Sequence, residues 1–223
     1  MTNTPDSPLA RRADATLLTA AGPEFSVSCK TYTTALMALT WLGAILCKKD
    51  LGRTRRDLGK VVPAFSRYLS GWENHVQDLC PRFAGVDNLF LVGRGASLAA
   101  AATGGLIIKE SDHLHAEGMS SAAFRHGPFE MVEPTTAVVI FAGDATTGKL
   151  NRNLARDITR KGGRAELVSE QADVGTLRLP TVPGGLRPLA EILPVHMLTL
   201  ALGALAGREP GRFSFVSKIT TDE

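Results

Sequence analysis

From Pro81 onward the sequence alternates short apolar runs with helix-length segments, and this alternation constrains the fold more tightly than any other feature. Asn88 to Val92 is an apolar run, Ser97 to about His113 reads as a helix, and Ala137 to Ala142 is a second run. Lys149 to Lys161 reads as a helix, Arg164 to Val168 as a strand, Thr176 to Leu179 as a candidate strand, and Pro188 to Ala206 as a helix. Strands that are apolar on both faces and separated by helices belong to a parallel sheet covered on both sides. One complete α/β unit is therefore expected over residues 81–223.

The first 80 residues follow another pattern. Residues 14 to 21 read as one short strand, Thr31 to Lys49 as a long helix, and Thr54 to Leu79 as a second. In the second helix Leu58, Val61, Val62, Phe65, Leu69, Trp72 and Val76 recur at spacings of three and four. The two helices read as a connector over residues 26–80. A lone strand leaves its backbone groups unpaired, so residues 1–25 are expected to be the tail of another sheet.

Composition narrows the function classes. Twenty-five basic against 22 acidic side chains leave a net charge of +3, and the basic residues are scattered, which argues against a nucleic-acid partner. Cys29, Cys47 and Cys80 are far apart and form no C-x-x-C, so neither a disulfide framework nor a zinc site is expected. A reducing cytoplasm fits that cysteine usage. The N-terminus shows no basic patch leading into an apolar run. Ala35 to Cys47, read as the longest apolar stretch, falls short of the roughly 20 residues that span a bilayer. A soluble chain with no membrane partner is expected.

Three segments carry candidate chemistry. Gly93-Arg94-Gly95-Ala96-Ser97 stands between a strand and a helix, at the edge where backbone N–H groups face an anion. Leu98 occupies the position where a dinucleotide fingerprint needs glycine or alanine, and Ser97 could instead cap the helix. Gly143 to Lys149 has the spacing of a phosphate-binding loop, but Leu150 stands where Ser or Thr would hold magnesium, so nucleotide binding is not expected. The richest segment, Lys109 to Glu117 with Phe124 to Pro128, holds three histidines and several carboxylates. His113 and His115 are two apart and cannot share a helix face, so acid–base chemistry is preferred to a metal, and no cofactor is expected. Gly104-Gly105 lies inside a helix, a cost of up to about 1 kcal/mol each, which close approach of a backbone or a ligand would explain.

Taken together, these blocks resemble the sugar isomerase (SIS) domain family, and within it the second such domain of the isomerase half of glucosamine-fructose-6-phosphate aminotransferases. The resemblance runs through Phe90 to Gly95, Ile108-Lys109-Glu110, His115-Ala116-Glu117, Arg125-His126-Gly127-Pro128, Pro210 to Phe213 and Ser217 to Thr220. Gly22-Pro23-Glu24, Val27 and Lys30 to Thr33 resemble the end of a first SIS domain and its linker, most of that domain being absent here. The implied fold is a three-layer α/β/α sandwich with a flavodoxin-like parallel sheet.

The resemblance implies that Glu110 shuttles a proton between adjacent sugar carbons, and that His126 assists ring opening from a neighbouring subunit. It implies that Lys218 forms a Schiff base with an open-chain ketose. Gly93, Gly95, Ser97, Val27 and Ser217 are the implied substrate-binding residues. Ile107, Thr103 and Ala123 replace a lysine and two glutamates of the aminotransferase pattern, and no glutaminase nucleophile is present. The expected activity is a phosphosugar isomerase, or an aminosugar-phosphate deaminase or isomerase, working as a homodimer. The alternative is a non-catalytic sugar-phosphate-binding or dimerisation module.

Overall fold

The computed structural model describes residues 1–171, 177–215 and 217–218. A short helix α1 (Pro8–Arg12) is followed by α2 (Lys30–Leu46), α3 (Leu51–Leu69) and α4 (Trp72–Phe83). Then come β1 (Asn88–Gly93), α5 (Leu98–Asp112), β2 (His115–Ser120), α6 (Ser121–Arg125), β3 (Thr136–Phe141), α7 (Ala145–Arg160) and β4 (Arg164–Val168). The short α8 (Arg187–Ala190) and long α9 (Ile192–Ala206) complete the described elements. The four strands are parallel in the order β2-β1-β3-β4, the order of a flavodoxin-like sheet.

The two faces of this sheet follow from the strand period of two. Leu89 and Leu91 of β1, with Ala137, Val139 and Phe141 of β3, join α4, α5 and α9 in one buried cluster. Phe90 and Val92, with Val138 and Ile140, join Leu154 and Ile158 of α7 and Phe124 of α6 in another. The three-layer α/β/α sandwich expected from the sequence is therefore the observed one. A third cluster joins Val61 of α3 to Val182, Leu186 and Leu189, with Leu36 and Met37 of α2 packed against it. The connector helices thus rest on the start of α8.

Several local expectations are corrected. Residues 14–21 form no strand: Leu18 makes a single parallel bridge to Thr2 and has no sheet to join. The helix expected over Thr54 to Leu79 is two helices, interrupted at Ser70-Gly71, where Gly71 precedes α4. β2 is a strand the apolar pattern does not reveal, because it is the sheet edge and alternates polar residues with small ones. Of the candidate strand at Thr176 to Leu179, Thr176 lies outside the described residues and Arg178 makes one bridge to Ser169. The helical run Gly184–Ala206 is long and apolar enough to cross a membrane, but 72% of its most apolar window is buried inside the fold. It is the core helix over the first face of the sheet.

Candidate active site

The helix α2 begins without a capping side chain of its own, because Cys29 at its N-cap offers no acceptor. Glu24, in the preceding loop, supplies one. Its Oε1 accepts the amides of Cys29, Lys30 and Thr31 at 2.9, 2.7 and 3.3 Å, and its Oε2 accepts the Thr31 hydroxyl at 2.7 Å. A carboxylate there satisfies orphan amides and sits at the positive end of the helix dipole. Burial pushes the Glu24 carboxyl up, yet the hydrogen bonds from Thr31, Lys30 and Lys218 outweigh it and hold it down at about 2.

Lys218 closes onto this cap from the far end of the chain. Its Nζ lies 3.3 Å from Glu24 Oε2 and donates to Ser28 Oγ at 2.8 Å and to the Ser26 carbonyl. Val27, between those two serines, is buried in the main core. Lys218 is thus held by the two residues that flank Val27. Glu24 was not singled out as a site residue, because an acceptor reaching back from an upstream loop has no capping-box spacing.

A pH dependence follows. An unperturbed glutamate titrates at 4.5 and folded Glu24 at about 2, so folding favours the ionised form. That contribution is complete above pH 4.5 and is lost as the pH falls toward 2. Glu24→Gln is expected to cost about 1 to 2 kcal/mol at neutral pH and to flatten this part of the acid limb. Urea unfolding at a series of pH values measures both, and an unchanged acid limb would contradict the cap.

Beside Lys218 lies an open cavity of about 560 Å³, lined by Phe25, Ser26, Gly211, Phe213, Ser217 and Lys218. Ser217 thus faces the same space as Lys218. One wall is fastened to α5: the Gly211 amide donates to Ser111 Oγ at 2.6 Å. Glu110, the residue before Ser111 in that last turn, is half-buried, and its side chain makes no hydrogen bond or ion pair with another described residue.

The remaining sequence-derived residues lie elsewhere. Gly93, Gly95 and Ser97 form the β1–α5 turn at the carboxyl edge of the sheet, whereas Glu110 ends α5 at the amino edge. Thirteen residues of helical rise separate Ser97 from Glu110, about 20 Å. Gly95 takes a positive φ of 58°, and a Cβ on Gly93 would lie 3.0 Å from that of Ser97, so both glycines have structural reasons. Ser97 does not cap α5. Its hydroxyl donates instead to Oε1 of the fully buried Glu191 at 2.8 Å. Burial pushes the Glu191 carboxyl up, offset in part by Ser97 and Arg187.

His126 follows α6, beyond the carboxyl end of β2, and is exposed. Its neighbour Arg125 pairs with Asp157 of α7 at 2.6 Å, so His126 lies on the α7 face of the sheet, whereas Glu110 is carried by α5 on the other face. The Gly143 to Lys149 loop holds no free anion cradle, because Asp144 Oδ1 already accepts the Thr146 and Thr147 amides at 3.0 and 2.9 Å. Among the described residues, no three metal-ligating side chains converge.

Residues 82–173 match the family model described as "SIS domain". The chain is 32% identical to glutamine–fructose-6-phosphate aminotransferase (isomerizing) of Pyrococcus horikoshii, over 96% of this chain and 37% of that protein. It thus spans well under half the length of that relative. A crystal structure of a Silicibacter pomeroyi protein described as a phosphosugar isomerase superposes with a TM-score of 0.74 at 30% identity, covering 92% of this chain and 62% of that one. The C-terminal domain of glucosamine-fructose-6-phosphate aminotransferase from Francisella tularensis has the same fold, with a TM-score of 0.81 at 22% identity over 94% of this chain and 63% of that one. The parallel order β2-β1-β3-β4 and the matched segment agree: residues 82–173 are similar to an SIS domain.

Proposed function

We propose that this chain acts on an open-chain sugar phosphate or amino-sugar phosphate by proton transfer between adjacent carbons. Glu110 is the base that takes the proton from the carbon beside the carbonyl and returns it to the neighbouring carbon. Lys218 adds to the ketose carbonyl with loss of water, and the resulting imine acidifies the adjacent C–H. Val27 and Ser217 border the bound sugar. His126 serves the site of a second copy in a cytoplasmic homodimer, since in its own chain it lies on the α7 face of the sheet and Glu110 is carried by α5 on the other face. The observation that carries this reading is the cavity beside Lys218, whose wall Ser111 ties to the α5 turn holding Glu110. Gly93, Gly95 and Ser97 lie about 20 Å along α5 from that turn, so we assign them to a separate anion-facing edge.

The second reading is a sugar-phosphate-binding or dimerisation module without turnover. Lys218 favours it in one respect: before attacking a carbonyl it must give up contacts to Glu24, Ser26 and Ser28. Borohydride reduction in the presence of fructose 6-phosphate separates the two. The enzyme reading predicts a reduced adduct at Lys218, found by peptide mass spectrometry and absent from Lys218→Ala. Sugar-phosphate binding that is unchanged by that substitution, with no adduct and no isomerised product, would establish the module.

A further inference from the structure

The helix α5 ends at the amino edge of the sheet in Asp112 and His113, both within the histidine- and carboxylate-rich segment, and neither is used by the proton-transfer reading. Asp112 is 6% exposed, and both its carboxylate oxygens are buried without a hydrogen-bond partner. A carboxyl group in that state is costly unless something pairs with it. It lines a cavity of about 330 Å³ between the ends of α4, α5 and α9. The rest of the wall is largely apolar, with Phe83, Val86, Leu114, Leu202 and Leu205 facing the space.

Arg208, just beyond α9, lines the same cavity. Its Nη1 is 2.7 Å from His113 Nδ1, which leaves most of its five N–H donors uncommitted. Asp112 and Arg208 thus face one space without forming an ion pair. Two opposite charges held apart at an apolar pocket match a ligand that carries both charges on a short spacing and an apolar group beside them.

We propose that this cavity binds a zwitterionic α-amino acid with an apolar side chain, its ammonium group on Asp112 and its carboxylate on Arg208. The volume accommodates a side chain of leucine size against Leu202, Leu205 and Val86. The site is independent of the sugar-phosphate reading, which uses neither Asp112 nor Arg208.

The charged and titratable groups lining the pocket are Asp112 and His113 from the end of α5 and Arg208 from beyond α9, while the α4–β1 wall supplies none. Burial pushes the Asp112 carboxyl up to about 7, with Arg208 opposing. Ammonium binding requires the ionised carboxylate, so affinity rises between about pH 6 and about pH 8.

Isothermal titration of the full chain with L-leucine, isoamylamine and 4-methylpentanoate tests the assignment. Leucine is expected to bind one-to-one, and Asp112→Asn is expected to weaken leucine and isoamylamine by about tenfold or more. Arg208→Gln, an exposed change that leaves the core intact, is expected to weaken leucine by a similar factor and leave isoamylamine unchanged. No saturable leucine binding up to about 10 mM, or leucine affinity equal in the wild type and both variants, overturns the proposal. Isoamylamine binding tighter than leucine overturns the role of Arg208.

Discussion

Gly118→Ala is expected to lower the thermal midpoint by about 10 °C. A Cβ built on Gly118 would lie 2.1 Å from the Ala101 carbonyl oxygen and 2.5 Å from Ala102 Cα. Those are backbone atoms of α5, so no rotamer change relieves the overlap. The reciprocal contact is as close: a Cβ on Gly105 would stand 2.5 Å from the Gly118 amide nitrogen. The helix must therefore lift from β2, and even a gap of about 0.5 to 1 Å forfeits a quarter to a half of each dispersion contact it held. Gly59→Ala is the internal control. Gly59 lies inside α3 with nothing within 4 Å of its added methyl, so that change is expected to stabilise by up to about 1 kcal/mol. Thermal unfolding followed by circular dichroism reads both, and a Gly118→Ala midpoint equal to wild type would refute the backbone contact.

Glu110→Gln is expected to reduce turnover by about 100-fold or more while leaving sugar-phosphate binding within a small factor, as befits loss of a proton-transfer group. The substitution keeps the shape, and Glu110 has no partner among the described residues to lose, so the midpoint should not move. The shared-site arrangement adds a sharper test. His126→Asn alone should also impair turnover, and mixing the two inactive proteins should restore about a quarter of wild-type activity. Half of the dimers are then mixed, and each mixed dimer carries one intact site. Activity of Glu110→Gln equal to wild type would remove the carboxylate from the mechanism. Failure of the mixture to regain activity, with exchange of subunits verified, would place His126 outside the partner's site.

Which features were legible follows from how far apart the interacting residues lie. β1, β3 and β4 were readable because β1 and β3 are apolar on both faces and all three have turn signals at their ends. β2 was not, since an edge strand with His115, Glu117, Gly118 and Ser120 has no apolar run. The break at Ser70-Gly71 was hidden because the amphipathic spacing continues across it. The anomaly of Gly104-Gly105 was visible in the sequence, and of the two explanations open to it, a backbone and not a ligand comes close to Gly105. The Ser97–Glu191 and Lys218–Glu24 pairs are separated by 94 and 194 residues. Neither produces any periodicity.

The sequence by itself determined the parallel sheet, its two apolar faces and the resemblance to SIS domains, because strand and helix periods and short motifs are local properties. Only the tertiary structure decided that Lys218 docks on the cap of α2, that Ser97 pairs with a buried glutamate, and that the glycine turn and Glu110 stand at opposite ends of α5. Those outcomes depend on which distant polar groups the closing chain brings together once the core has formed, and burial then makes each pairing or orphan consequential.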